Sequence, residues 1–156
     1  MAGIILTGVD DSDAALRAAD RAATLAVALG AELLVLSAFN MKLSETLQTA
    51  SHENEPEAMS NAYKDLDTKN AEKAARTAAR VTEGLRQTYP DLKVTSRATA
   101  GAPGVALLSE ADRINADIIV VGNRRVQGPT RILGSIARTI ASGTNCDLYV
   151  VNTHQR

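Results

Sequence analysis

The segment VVGNRRVQGPTRILGSIA, Val120 to Ala137, joins a hydrophobic run to a helix-like pattern through three glycines, one proline and three arginines. Residue types in this arrangement suit an anion, above all a phosphate. A phosphate needs backbone N–H donors that can approach closely, and a helix N-terminus presents several of them with a favourable dipole. Gly134 and Ser135 stand where the last helix should begin. The glycine removes the Cβ that would hold an anion away, and the serine hydroxyl adds a donor. Gly122 lets the backbone turn as it leaves the hydrophobic run, while Gly128 and Pro129 shape the middle of the loop. From Ile118 to Cys146 there is no Asp or Glu, yet Arg124, Arg125, Arg131 and Arg138 are present, in a chain with 18 acidic and 17 basic residues. The other reading of the same residues is an ordinary turn whose arginines point into water.

Asp10 is the second candidate. It follows a short apolar run, and an aspartate there can accept from ribose or adenine donors, or hold Mg2+ through water beside phosphates. Its competing role is to cap the first helix, but Asp11, Ser12 and Asp13 are equally suited to that task. The chain lacks the Walker-type G-x4-G-K-[ST] loop. His52 and His154 fall in an irregular loop and in the tail, without an obvious catalytic partner, and SHENE matches neither a zinc site nor a triad. No catalytic and no metal-ligating residues are assigned, and an enzyme is not expected.

These groups must be held by a frame, and the frame is legible as alternation. Gly3–Val9, Ala31–Phe39 and ADIIVVG are nearly continuous apolar runs, as in strands buried on both faces. Between the first two, residues Ala15, Leu16, Ala19, Ala22, Ala23, Ala26 and Val27 recur at helical spacing, and Gly30 fits the position just past a helix end. Asn40 to about Ser60 reads as a loop. A long helix is predicted from about Asn61 to Thr88, with Val81 and Leu85 on its apolar side, ended by TYPDL.

KVTSRATAG alternates, with Val94, Ser96, Ala98 and Ala100 on one side, as at a sheet edge. APGVALLSEADRINA is a helix with Pro103 at its first position and Val105, Leu108 and Ala111 on its apolar face. SIARTIASG is a helix closed by Gly143, and CDLYVVN is the fifth strand, with Cys146 read as a small buried hydrophobe. The order β-α-β-α-β-α-β-α-β predicts an α/β fold, a doubly wound parallel sheet with helices on both faces. In such a sheet ligands bind beyond the carboxyl ends of the strands, where adjacent connections leave on opposite faces. If the strand order is 3-2-1-4-5, that point lies between strands one and four, and both VDDSD and the arginine-bearing loop border it.

The 156 residues suggest one domain, 1–156, with 45% hydrophobic and 22% charged residues. A net charge of −1, no tryptophan and only four aromatic side chains argue against a nucleic-acid binder. A single cysteine excludes an internal disulfide. No apolar run approaches about 18 residues, so no membrane span is expected. The N-terminus lacks the basic region of a signal peptide, and a cytoplasmic location is the default.

Three stretches together resemble the universal stress protein family, in its single-domain UspA type. They are GVDDSDAALRAADRAATLA, GAPGVALLSEADRINADIIVVGN and ILGSIARTIASGTNCDLYVVNT, and the likeness covers nearly the whole chain. The resemblance implies a Rossmann-like fold of the adenine nucleotide alpha hydrolase type with strand order 3-2-1-4-5, a homodimer paired through the last strand, and binding of ATP or another adenine nucleotide, with AMP or cyclic AMP as alternatives and Mg2+ as a companion ion. The family's loop reads G-x2-G-x9-G-[ST]. Gly122 matches its first glycine and Gly134-Ser135 its end, but Arg125 occupies the second glycine position. The loop is also one residue shorter, with Gly128 displaced along it.

Carried over to this chain, the resemblance assigns ligand contacts to Asp10, Gly122, Gly134, Ser135 and the backbone N–H of Ile136. Ala38 falls where the family contacts adenine through the backbone, and Val121 beside the nucleoside. Arg124 and Arg125 become phosphate partners. A stress-response regulator that binds an adenine nucleotide is the leading reading. The alternative is a nucleotide-independent homodimer acting through protein partners, which Arg125 in a glycine position favours.

Overall fold

The computed structural model describes residues 3–42, 57–123 and 133–153. In chain order the elements are β1 Ile4–Gly8, α1 Asp13–Leu29, β2 Glu32–Phe39, α2 Glu57–Thr88, β3 Val94–Ala100, α3 Pro103–Ile114, β4 Ile118–Asn123, α4 Ser135–Gly143 and β5 Asp147–Asn152. All strand pairs are parallel, in the order β3-β2-β1-β4-β5. The central strand β1 sets the register, with Leu6 opposite Leu34 on one side and Ile119 on the other.

Two apolar layers sandwich the sheet. On one face, Ile5, Val9, Leu33, Val35 and Val120 meet the alanines of α1 and Ala78, Val81 and Leu85 of α2. On the other, Leu6, Leu34, Leu36, Ile119 and Val121 meet Ala106, Leu107 and Ala111 of α3 with Ala137 and Ile140 of α4. Helices therefore cover both faces, as expected. β1 leads into a helix on the first face and β4 into one on the second, so the connections diverge between β1 and β4.

Several helix faces differ from the sequence reading. α1 lies so close to the sheet that only alanine fits beneath it. Ala18, Ala19, Ala22, Ala23 and Ala26 are fully buried, whereas Leu16 and Val27, expected on the apolar face, are exposed on its flanks. In α3 the buried positions are Gly104, Ala106, Leu107, Glu110 and Ala111. Val105, expected inside, is 58% exposed. The reason is close helix–helix contact: a Cβ on Gly104 would lie 2.9 Å from Thr139 of α4, which turns the next residue outward. α2 begins at Glu57, four residues before the expected Asn61, and most of the loop read between Asn40 and Ser60 lies outside the described residues.

Other local readings agree with the structure. Gly30 caps α1 in the left-handed region, φ 62°, and Pro103 opens α3. β3 stands at a sheet edge, although its alternation is blurred: Val94 is buried, but Ser96 and Ala100 are exposed. Gly143 ends α4 with its Cβ position 3.0 Å from Leu108 Cδ1, so packing rather than an unusual backbone angle explains the glycine. Cys146 is half-buried just before β5 and shares hydrogen bonds with the Thr144 hydroxyl.

Candidate functional site

A cavity of about 290 Å3 opens at the carboxyl ends of β1, β2 and β4, where the connections diverge. Its floor and sides are largely apolar, formed among others by Val9, Leu36, Pro103, Leu107 and Val121. The polar side chains on its wall are Asp10, Ser12 and Ser135. The volume is at the lower end of the ~300–1,000 Å3 common for small-ligand clefts.

Two helix N-termini reach this cavity from opposite faces of the sheet, and they are built differently. In α1 the turn is closed by its own residues. Ser12 Oγ accepts from the Ala15 N–H at 3.2 Å, and Asp10 Oδ1 accepts from both the Ser12 N–H at 2.9 Å and its hydroxyl at 2.5 Å. Ser12, not Asp10, is therefore the cap of α1, and Asp10 sits exposed at the rim. In α4 the N-cap is Gly134, and among the described residues no side chain caps the first turn. Ser135, Ile136 and Ala137, whose N–H groups have no partner inside a helix, line the cavity. The N-terminal end of that helix therefore offers donors and partial positive charge to whatever enters.

The turn after β1 is anchored to α2. Asp11 accepts from the Thr77 hydroxyl at 3.0 Å and from Arg80 Nη2 at 2.8 Å, with Lys73 Nζ at 3.6 Å. The Thr77 hydrogen bond, followed by that of Arg80, holds the Asp11 carboxyl below its ordinary value of 3.8.

The two matched glycines play different parts. Among the described residues a Cβ on Gly134 would make only ordinary contact, with Asn123 Oδ1 at 3.8 Å, and its backbone angles, φ −60° and ψ 159°, suit any residue. Gly122 was read as a turn residue, but it lies within β4, paired with Val151. It is glycine because α1 and Thr153 crowd it: a Cβ there would lie 3.0 Å from Thr153 Cγ2 and 3.3 Å from the Ala14 carbonyl oxygen.

Of the residues singled out in the sequence, Asp10, Ala38, Val121, Gly122, Gly134, Ser135 and Ile136 all line the one cavity. Arg124, Arg125 and Gly128 lie outside the described residues. Sequence reasoning missed Val9, Ser12, Leu36, Pro103 and Leu107 on the wall. Pro103 carried a signal, since it opens the helix after β3 on the face that α4 also covers. Among the described residues, no group of three or more His, Cys, Asp or Glu side chains could hold a metal ion, and no helix is long and apolar enough to cross a membrane.

Comparison with known proteins agrees with this architecture. Residues 1–152 match the model of the universal stress protein family. Two relatives from Mycobacterium tuberculosis, universal stress protein Rv1636 of strain H37Rv and MT1672 of strain CDC 1551, are each 31% identical over 96% of this chain and 95% of their own length. Among solved structures, a universal stress protein in complex with cAMP is 28% identical with a TM-score of 0.66, covering 97% of this chain and 98% of its own. The universal stress protein UspA from Lactobacillus plantarum superposes with a TM-score of 0.74 at 22% identity, covering 96% and 97% of the two chains. With the strand order, the cavity at the β1/β4 divergence and a family match over almost its full length, the chain belongs to the universal stress protein family.

Proposed function

We propose that the chain binds an adenine nucleotide in the cavity between β1 and β4 and serves as a nucleotide-responsive regulatory protein rather than an enzyme. One observation carries the reading: the first turn of α4, entered through a glycine and without a side-chain cap among the described residues, forms a wall of a largely apolar cavity. That pairing of an apolar pocket with an anion-binding helix end matches a nucleoside joined to phosphate. The relative crystallised with cAMP supports the same ligand class.

In this arrangement the N–H groups of Ser135, Ile136 and Ala137 and the Ser135 hydroxyl take a phosphate. Val9, Leu36, Ala38, Leu107 and Val121 enclose the nucleoside, and the Ala38 backbone faces the base. Asp10 accepts from the ribose or base, or holds Mg2+ when a polyphosphate is bound. Arg124, Arg125 and Gly128, the expected partners for the further phosphates of ATP, lie outside the described residues.

Calorimetric titration with ATP, AMP and cyclic AMP tests the reading and ranks the ligands. Saturable heat with any of the three supports it. No heat with all three at millimolar concentration overturns it and leaves the nucleotide-independent scaffold.

The homodimer is a further part of the proposal. β5 is the outer strand beside β4 among the described residues, and Tyr149 on it is 42% exposed. A second copy pairing across a two-fold axis would cover both. Sedimentation of the chain and of Tyr149→Arg should show a dimer that dissociates in the variant, and an unchanged mass for the two would remove β5 as the interface.

A further inference from the structure

Asn123 ends β4 and Gly134 caps α4, eleven positions later. The asparagine is fixed on its backbone side. It pairs with Asn152 in the β5 register, and its carbonyl accepts from the Thr153 hydroxyl at 2.8 Å. Its side chain reaches across to the helix, where Oδ1 accepts from the Gly134 N–H at 3.3 Å. Among the described residues, no other side chain hydrogen-bonds an N–H group at the entrance to α4. Gly134 has no side chain with which to locate itself, and its backbone angles impose no special conformation. Ala137 and Ile140 pack α4 onto the sheet, and the carboxamide of Asn123 adds the polar tie between the helix entrance and the end of β4.

The type of residue is informative. Where the only task is to hold an N–H at a helix N-terminus, aspartate is the stronger acceptor and its charge also favours the dipole. An asparagine performs the same holding without negative charge. That choice costs the helix some stability, and it makes sense where an anion must approach the same helix end.

We propose that Asn123 is a positioning residue of the phosphate site. Its carboxamide holds the Gly134 N–H against the end of β4, which leaves the N–H groups of Ser135, Ile136 and Ala137 directed into the cavity, and its neutrality keeps the entrance open to an anion. This inference rests on the nucleotide reading above for its ligand, but the holding role can be measured without one.

The test compares the wild-type chain with Asn123→Ala and Asn123→Asp. AMP and adenosine are titrated by calorimetry, and amide exchange of Gly134 is followed by NMR in the free protein. In Asn123→Ala, the AMP affinity should fall about tenfold, the equivalent of one hydrogen bond to a charged group. The adenosine affinity should stay within about twofold, since the nucleoside wall is untouched. Amide exchange at Gly134 should accelerate.

Asn123→Asp should keep the slow exchange and the thermal stability, yet lose AMP affinity at least as strongly. The inference is overturned if the alanine variant weakens AMP and adenosine alike, or if the aspartate variant binds AMP as the wild type does. Should the wild type bind neither ligand, the nucleotide reading fails on its own. Exchange at Gly134 then decides the holding role: faster in alanine but not in aspartate supports it, and no difference overturns it.

Discussion

Gly122 of β4 and Ala14 of α1 approach so closely that a Cβ on the glycine would lie 3.3 Å from the Ala14 carbonyl oxygen. Backbone cannot retreat as a flexible side chain can, so a methyl group here overpacks the junction beside the cavity. Gly122→Ala should destabilise the fold by about 1–3 kcal/mol, measured by denaturant unfolding, and nucleotide affinity should fall with it because Ala14 and Gly122 both line the cavity.

Gly134→Ala should behave in the opposite way. Among the described residues its Cβ would meet nothing closer than 3.8 Å and its backbone angles are unstrained, so the gain from a less flexible unfolded chain offsets alanine's weakness as an N-cap, and stability should change by less than about 1 kcal/mol. The added methyl stands at the anion entrance, and AMP affinity should drop about tenfold or more, the loss of one hydrogen bond to a charged group. Paired unfolding and calorimetry on the two glycine variants separate the packing glycine from the open one. Equal effects on both quantities in both variants would contradict the distinction.

Glu110 of α3 is a buried carboxylate at the β3 edge. Its oxygens accept from Arg97 Nη1 at 2.6 Å and from Arg113 Nε at 3.0 Å and Nη2 at 2.6 Å, while both arginines remain about half exposed. The pairing joins β3 to a helix that otherwise covers the inner strands. Glu110→Gln keeps the shape but removes the charge that both guanidinium groups approach. It should destabilise by about 1.5–3 kcal/mol, the range for hydrogen bonds to charged groups, without changing AMP affinity, because none of the three residues borders the cavity.

Thr82 offers a change of opposite sign. The residue is 1% exposed within α2, and among the described residues its hydroxyl has no hydrogen-bond partner. A buried hydroxyl without a partner opposes folding, so Thr82→Val, which replaces it by a methyl of similar size, should stabilise by about 1 kcal/mol. An unfolding midpoint that does not rise would show that the hydroxyl is satisfied in solution.

How far the sequence discloses this arrangement depends on which signal each residue carries. The succession of strands and helices along the chain follows from continuous apolar runs separated by helical spacing, whereas the spatial order 3-2-1-4-5 comes only with the family resemblance. Gly30 and Pro103 mark helix ends because their backbone preferences are strong. The cavity residues at strand ends and at the α4 entrance are legible because topology alone makes that point a crevice. Leu107 and Leu36 are not, since an apolar wall residue and a core residue look identical in one sequence. The exposed Leu16 and Val27 mislead for the converse reason. Helical spacing gives the direction of a stripe but not the closeness of the sheet, and it is closeness that admits only alanine beneath α1. Asn123 escapes notice because a neutral amide at a strand end has no distinctive pattern until its partner eleven residues on is seen beside it.

The Asp11 tie between the β1–α1 turn and α2 gives the last prediction. Its carboxyl is held below 3.8 by the Thr77 hydroxyl first and by Arg80 next. A group whose folded value is depressed stabilises the fold in full above its unfolded value of 3.8. That contribution declines as the pH falls below this point towards the folded value. Asp11→Asn should therefore lower the melting temperature at pH 7, and the difference from the wild type should shrink steadily as the pH is taken below about 4, the ordinary range for an aspartate. Because Asp11, Lys73 and Arg80 are all more than half exposed, added salt should narrow the gap at pH 7 as well. Melting curves from pH 7 to 3 at low and high salt measure both effects, and a gap that stays constant with pH would show that the charge of Asp11 does not hold α2 to the turn.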